Sequence, residues 1–348
     1  MKMRKWGIAA ALLIAVALLA LYPLDMYISR PGGAYDLAPL VEVSGGDTDD
    51  RGTFSLMTIA IGKATPLTYA WSHVSGKMKL LPAANVRRHG ESDEEYGVRQ
   101  KKLMTDSKIH AISVAFEKAG LPIDRKFTGV FVAGVLPEGA SAGKLKVGDV
   151  IQSINNQQFT SAKEFIDAFS NMSKGQQVDL NVKRGKETLQ IPVKLAELPG
   201  THGRAGIGIE FEEQITLETE PEVDIRTEDI GGPSAGLMFT LELMNRLVDA
   251  DLTKGYHIAG TGEMHEDGSV GRIGGIDFKV IAADRQDIEI FFAPDDELPE
   301  EVKKKNPQLQ SNYEEAKATA EKIGTKMKIV PVKTIDDALR YLEKLEEK

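Results

Sequence analysis

Between Trp6 and Leu24 the chain carries no charged residue, and Lys2, Arg4 and Lys5 stand just before that run. No other stretch limits the fold so sharply. As a helix the run would extend about 28 Å, close to the ~30 Å hydrocarbon thickness of a bilayer. The cations before it and Asp25 after it predict a cytoplasmic N-terminus. A cleaved secretory signal is the competing reading, but Leu21, Tyr22, Pro23 and Leu24 offer no small-x-small cleavage site. The expectation is therefore a cytoplasmic tail over 1–5 and an uncleaved transmembrane helix over 6–24. Everything after Asp25 would then lie outside the cytoplasm, tethered to the cell membrane.

The rest of the 348 residues is long enough for two or three domains. With 42% hydrophobic residues the chain can build a real core, which excludes global disorder. A formal net charge of −9 argues against a nucleic-acid partner, since phosphate binding wants a basic stripe. The absence of cysteine removes disulfides, thiolate metal sites and a cysteine nucleophile together. The six histidines are scattered and form no His-Glu-x-x-His, so neither a metal nor another cofactor is expected.

Three regions follow the apolar run. In 25–120, Thr53–Ile61 is rich in β-formers and reads as a strand, while 91–119 opens on acids and ends at Gly120, the boundary marks of a helix. In 121–200, Gly129–Val135 reads as a strand and Ser161–Met172 as a short helix carrying Phe165 and Phe169, which fit a core or a groove equally well. Val178–Val182 and Thr188–Val193 pair as a hairpin through Arg184-Gly185. In 201–348, glycine-bounded strands (Ile207–Phe211, Glu222–Ile225, His257–Gly260, Ile288–Ala293) alternate with helices, an α+β pattern.

The run from Val135 to Ile151, V-x-P-x-x-x-A-x-x-x-L-x-x-G-D-x-I, resembles that of bacterial PDZ domains, small β-barrel-like sandwiches with helices. The resemblance covers about 70 residues. PDZ domains bind peptide strands by β-addition in a groove between a strand and a helix. Here it implies a groove between Gly129–Val135 and Ser161–Met172. The backbone of Phe127, Gly129 and Val130 would receive a peptide's chain end, so that protein or peptide substrates are the expected partners.

Two strings carry chemistry. Gly231-Gly232-Pro233-Ser234-Ala235-Gly236 sets a serine between glycines as a helix begins. Glycine permits a sharp bend, Pro233 suits a helix opening, and a helix start supplies the free N–H groups an oxyanion needs. Taken alone, Ser234 is either a nucleophile or a helix cap. The α/β-hydrolase elbow, an esterase or lipase reading, lacks the downstream room: only His257 and His265 follow Ser234. The second string, Gly274-Gly275-Ile276-Asp277-Phe278-Lys279, sets a lysine in the first turns of a helix running into Val280 and Ile281. Apolar surroundings and the positive helix end both favour the neutral amine, able to act as a general base. Taken alone, Lys279 is either that base or a snorkelling surface lysine.

Together, Gly232-Pro233-Ser234-Ala235-Gly236, Thr261-Gly262-Glu263-Met264 and Gly274-Gly275-Ile276-x-x-Lys279 resemble the proteolytic domain of the Lon protease family, over roughly 203–345. The resemblance implies Ser234 as nucleophile, Lys279 as base, Thr261 hydrogen-bonded to the lysine amine, and Gly232 and Pro233 shaping the turn. Lon proteases carry an aspartate three residues before the serine. This chain has Gly231 there, with Asp229 at another offset, so the resting state, open or self-blocked, stays undecided. Lon couples proteolysis to an ATPase, but no Gly-x-x-x-x-Gly-Lys-[Ser/Thr] occurs, and Gly139–Leu145 belongs to the PDZ-like run. Anchor, PDZ and Lon-type domain together look like the membrane-anchored PDZ Lon-like endopeptidases of Gram-positive bacteria.

The sequence therefore predicts an α+β chain with an N-terminal transmembrane helix, an extracytoplasmic α+β region over 25–120, a PDZ domain over 121–200 and a Lon-type proteolytic domain over 201–348. Region 25–120 is a candidate part of the proteolytic fold. The activity expected is that of an ATP-independent serine endopeptidase with a Ser-Lys dyad. The rival is a PDZ adaptor with an inactive Lon-like domain. A homo-oligomer stays open, because Lon relatives form rings but no interface signature is visible here.

Overall fold

The computed structural model describes residues 2–48, 50–201, 203–227 and 230–348. The chain divides into two compact units. The first takes residues up to Glu91, Met104–Gly120 and Val223–Lys348; the second takes Ser92–Leu103 and Leu121–Glu222. The boundary at 200/201 expected from the sequence does not coincide with this division. Ile209–Thr219 pairs along the whole of Ile123–Val135 and so belongs with the second unit.

The first unit is built on a six-stranded mixed sheet in the order Lys328–Val332, Ile290–Pro294, His257–Gly260, Thr53–Lys63, Met26–Asp36, Lys79–Pro82. The first four strands run parallel and the last two pair antiparallel. Side chains alternate across a strand, and both faces of this sheet are covered. On one face Phe54, Leu56, Ile258, Ile290 and Phe292 pack with helices Asp93–Ala119, Gly236–Leu247 and Ile335–Glu343. On the other, Met57, Ala259, Phe291 and Ala293 pack with helices Ile276–Asp284 and Asn312–Ile323. Strands buried on both faces explain the near-continuous apolar run from Ile288 to Ala293.

The second unit is a separate antiparallel sheet in the order Ile209–Thr219, Ile123–Val135, Val150–Ile154, Gln177–Arg184, Glu187–Lys194. Its core gathers Val130, Val132, Ile151, Leu180, Val182 and Phe165. The hairpin turns through Gly185 at φ 60°. Helix Ala162–Asp167 is capped by the Ser161 side chain, which accepts from the Glu164 N–H. Asp149, the aspartate of the Gly-Asp-x-Ile run, is 1% exposed and takes both arms of Arg184 at 2.7 Å, plus the Lys146 N–H at 2.9 Å.

The N-terminal expectation is overturned. The first helix runs Lys2–Leu21, so its opening turn holds the cations and its uncharged part stops at Leu21, before Pro23. About 16 uncharged helical residues span about 24 Å, short of a hydrocarbon core. No helix among the described residues is long and apolar enough to cross a membrane. The transmembrane helix over 6–24, the cell-membrane tether and the extracytoplasmic placement derived from it are therefore withdrawn.

Candidate active site

The site forms past the carboxyl end of strand His257–Gly260. The helix before that strand in sequence, Gly236–Leu247, packs on one sheet face, and the helix after it, Ile276–Asp284, packs on the other. Thr261, the first residue beyond the strand, is held by its N–H donating to Phe292 O at 3.1 Å.

Three of the residues singled out in the sequence meet here. Lys279 Nζ stands 2.7 Å from Ser234 Oγ and donates to Thr261 Oγ1 at 2.8 Å. The Thr261 hydroxyl in turn donates to Ser234 O at 2.9 Å. That donation fixes roles: with its only proton committed to a carbonyl, Thr261 accepts from the lysine. A neutral amine then keeps one lone pair for the Ser234 hydroxyl.

Lys279 is 2% exposed. Burial pushes its amine down from 10.5 to about 7, and among the described residues no carboxylate offsets it. Its position in the first turns of Ile276–Asp284, at the positive end of the helix, works the same way. Gly275, which precedes that helix, is left-handed at φ 68°.

On the serine side, Gly232 is buried and adopts φ 90°, a conformation glycine takes without strain. Pro233 and Ser234 are half-buried, and the helix proper starts at Gly236 behind Ala235. The Ser234 carbonyl also accepts from the Gly262 N–H at 3.0 Å. Among the described residues nothing accepts from the N–H of Ser234 or of Ala235. Asp229 lies outside the described residues. His257 and His265 are exposed and stand apart from this cluster.

The peptide-binding residues expected in the second unit lie in strand Ile123–Val135, where Gly129 and Val130 are buried and Phe127 is half-buried. Phe127 faces Ile215, Gly129 faces Gln214, and Val130 faces both Glu213 and Ile151. Val130 is thus paired on both sides, while Phe127 and Gly129 pair with Ile209–Thr219. Ile209–Thr219 is one edge of the sheet, and an apolar groove of about 390 Å³ lies beside its start. Ile207, Ile209 and Phe211 line it from the strand side; Phe165, Ile166, Phe169 and Met172 line it from the helix side. The alternation of Ile209-Glu-Phe-Glu after a glycine pair marked this strand in the sequence, but not its partner.

Comparison with known proteins follows the same division. Residues 98–195 match the PDZ domain family, and residues 227–344 match the Lon protease (S16) C-terminal proteolytic domain. One segment of the chain is thus similar to PDZ domains and another to Lon-type proteolytic domains. It is 40% identical over 74 residues to the pro-apoptotic serine protease NMA111 of Ajellomyces capsulatus, covering 21% of this chain and 7% of that protein. It is 35% identical over 72 residues to the serine endoprotease DegS of Haemophilus influenzae, covering 20% of this chain and 21% of that one. Among solved structures, the PDZ domain of an SdrC-like protein from Listeria monocytogenes is 34% identical at a TM-score of 0.24, covering 24% of this chain and 88% of that domain. The chain thus spans only a small part of the two proteases it matches. The Lon-type match spans the segment that holds Ser234, Thr261 and Lys279.

Proposed function

We propose that this chain is an ATP-independent serine endopeptidase in which Ser234 is the nucleophile and Lys279 the general base. The observation that carries the reading is the 2.7 Å approach of a buried lysine amine to the Ser234 hydroxyl. Ser234 Oγ attacks the peptide carbonyl carbon while neutral Lys279 takes its proton. The carbonyl oxygen becomes an oxyanion facing the free N–H groups of Ser234 and Ala235. The lysine ammonium then protonates the amide nitrogen as the C–N bond breaks. Water, giving a proton to Lys279, opens the acyl ester and restores the serine. Thr261 holds the amine so that its lone pair faces Ser234, and Gly232 and Pro233 set the turn that presents the serine.

The PDZ domain recruits the protein or peptide substrate. A strand added beside Ile209–Phe211 would lay a side chain into the apolar groove. Residues 25–120 complete the proteolytic fold, a reading supported by the parallel pairing of Thr53–Lys63 with His257–Gly260.

The test uses the purified chain on casein and a peptide library, with Ser234→Ala and Lys279→Ala alongside. Cleavage by the unaltered chain and loss in both variants is expected. Equal cleavage by all three refutes the dyad. No cleavage by any, with peptide binding retained, leaves the PDZ adaptor role instead.

A further inference from the structure

Helix Asp93–Ala119 contributes nothing to the Lon-like strings, yet one of its side chains reaches the residue before the serine. Ser107, 2% exposed, donates its hydroxyl to Pro233 O at 3.0 Å across 126 residues of sequence. The approach depends on Gly236: a Cβ there would stand 3.1 Å from Ser107 Oγ and 2.7 Å from Met264 Cβ. The same stretch of helix is fixed nearby by Lys108 Nζ donating to Ile225 O at 2.6 Å and by His110 Nδ1 at 3.0 Å from Met264 O.

The consequence follows from peptide planarity. In a trans peptide the N–H points opposite to the carbonyl of the same plane. Ser107 holds the Pro233 carbonyl, so it aims the Ser234 N–H the other way. Gly262 N–H and the Thr261 hydroxyl hold the Ser234 carbonyl and so aim the Ala235 N–H. Both carbonyls are anchored, and among the described residues neither opposed N–H group has a protein acceptor. Among the described residues the other bond to the Pro233 carbonyl is the Gly236 N–H at 3.4 Å, too long to hold the plane by itself.

We infer that Ser107 is a positioning residue for catalysis: by fixing the Pro233–Ser234 peptide plane it aims the Ser234 N–H at the developing oxyanion. The inference rests on the proteolytic reading above and adds a residue that touches neither substrate nor dyad. Its signature is a lower kcat with little change in KM, because the oxyanion exists only in the transition state.

The experiment compares the unaltered chain with Ser107→Ala, and Ser107→Thr with Ser107→Val, a pair of equal shape differing by the hydroxyl. Each is assayed on a peptide the unaltered chain cleaves, and with a boronic acid built on that peptide, whose serine adduct places an oxygen where the oxyanion sits. Ser107→Ala is expected to lose about ten- to hundred-fold in kcat, below the loss for deleting an oxyanion donor outright. Boronate affinity should fall in parallel, KM should stay within about twofold, and the pH midpoint of kcat/KM should not move. Ser107→Thr should retain most of the activity that Ser107→Val loses, which keeps the test decisive if Ser107→Ala fails to fold. Unchanged kcat and boronate affinity, a loss confined to KM, a shifted pH midpoint, or equal Thr and Val variants would each overturn the inference while leaving the dyad standing. An unaltered chain that neither cleaves peptide nor binds a boronate would overturn the proteolytic reading itself.

Discussion

Replacing Lys279 by methionine should abolish cleavage and yet stabilise the fold at neutral pH. The amine is 2% exposed and burial brings it from 10.5 to about 7. Because its folded value lies below the unfolded one, the unfolded chain binds more protons between those two values. Stability from this group is complete above about 10.5 and is lost as pH falls toward 7. At pH 7 the cost to the unaltered chain is about 4 kcal/mol, and at pH 10 it shrinks to under about 1 kcal/mol. Methionine fills nearly the same volume and removes that cost. Against it stands the loss of two hydrogen bonds, to Ser234 and Thr261, worth about 1 kcal/mol each. A net gain of about 2 kcal/mol at pH 7 remains, which for a unit of this size raises the Tm by roughly 4–8 °C. The assay is thermal unfolding of both chains by circular dichroism at pH 7 and pH 10. The gap should narrow or reverse at pH 10. In the same range kcat/KM of the unaltered chain should climb about tenfold per pH unit below 7 and level off above it. A methionine variant less stable at both pH values, together with a rate still climbing at pH 10, would refute the neutral-lysine argument.

Two further outcomes follow from single positions. Gly232→Ala forces a Cβ onto a backbone at φ 90°, which should cost about 1–2 kcal/mol and lower kcat at least tenfold with KM little changed, read from steady-state kinetics beside a melting curve. Asp149→Ala strips a buried carboxylate from Arg184, which is itself partly solvated, so about 2–3 kcal/mol of stability should be lost in the second unit, seen as earlier proteolysis of 121–222 than of the rest.

The sequence carried the existence of elements better than their partners. The helix at 91–119 was legible because acids open it and a left-handed glycine closes it; the structure has it at Asp93–Ala119. The hairpin was legible because a two-residue turn fixes its own register. Pairing over distance was not. Thr53–Lys63 lies beside His257–Gly260, about 200 residues later, and no local pattern specifies that. Sheet position was out of reach for the same reason: Gly129–Val135 and Ile207–Phe211 both read as glycine-bounded strands, and only the pairing puts Ile209–Thr219 at a sheet edge. At the candidate active site, Ser234 and Lys279 were each ambiguous alone, since composition cannot separate a capping serine from a nucleophile or a snorkelling lysine from a buried one. Ser107 left no trace at all, because a serine within a helix has no signature until its long-range partner is known.

In the proposed dyad, the topology accounts for a lysine standing where a histidine is the commoner base. A parallel strand separates the layers that carry its two flanking helices, so a residue from each layer can meet only past the strand's end. There the chain emerges at Thr261, between the Ser234 turn and the Lys279 helix. A lysine stem is long enough to cross from the far layer while its amine stays under cover, and burial supplies the perturbation that makes it a base. The contrast lies in the serine's own helix. Glu242 is equally buried, at 1% exposure, and burial raises its carboxyl to about 7, but it is bonded to Arg246 at 2.7 Å. That pair neutralises itself and has no proton to exchange with substrate. Among the described residues Lys279 is faced by two hydroxyls and no carboxylate; in the proposed dyad it is burial without a paired counter-charge, as much as the proximity of Ser234, that would turn a buried cation into a free base.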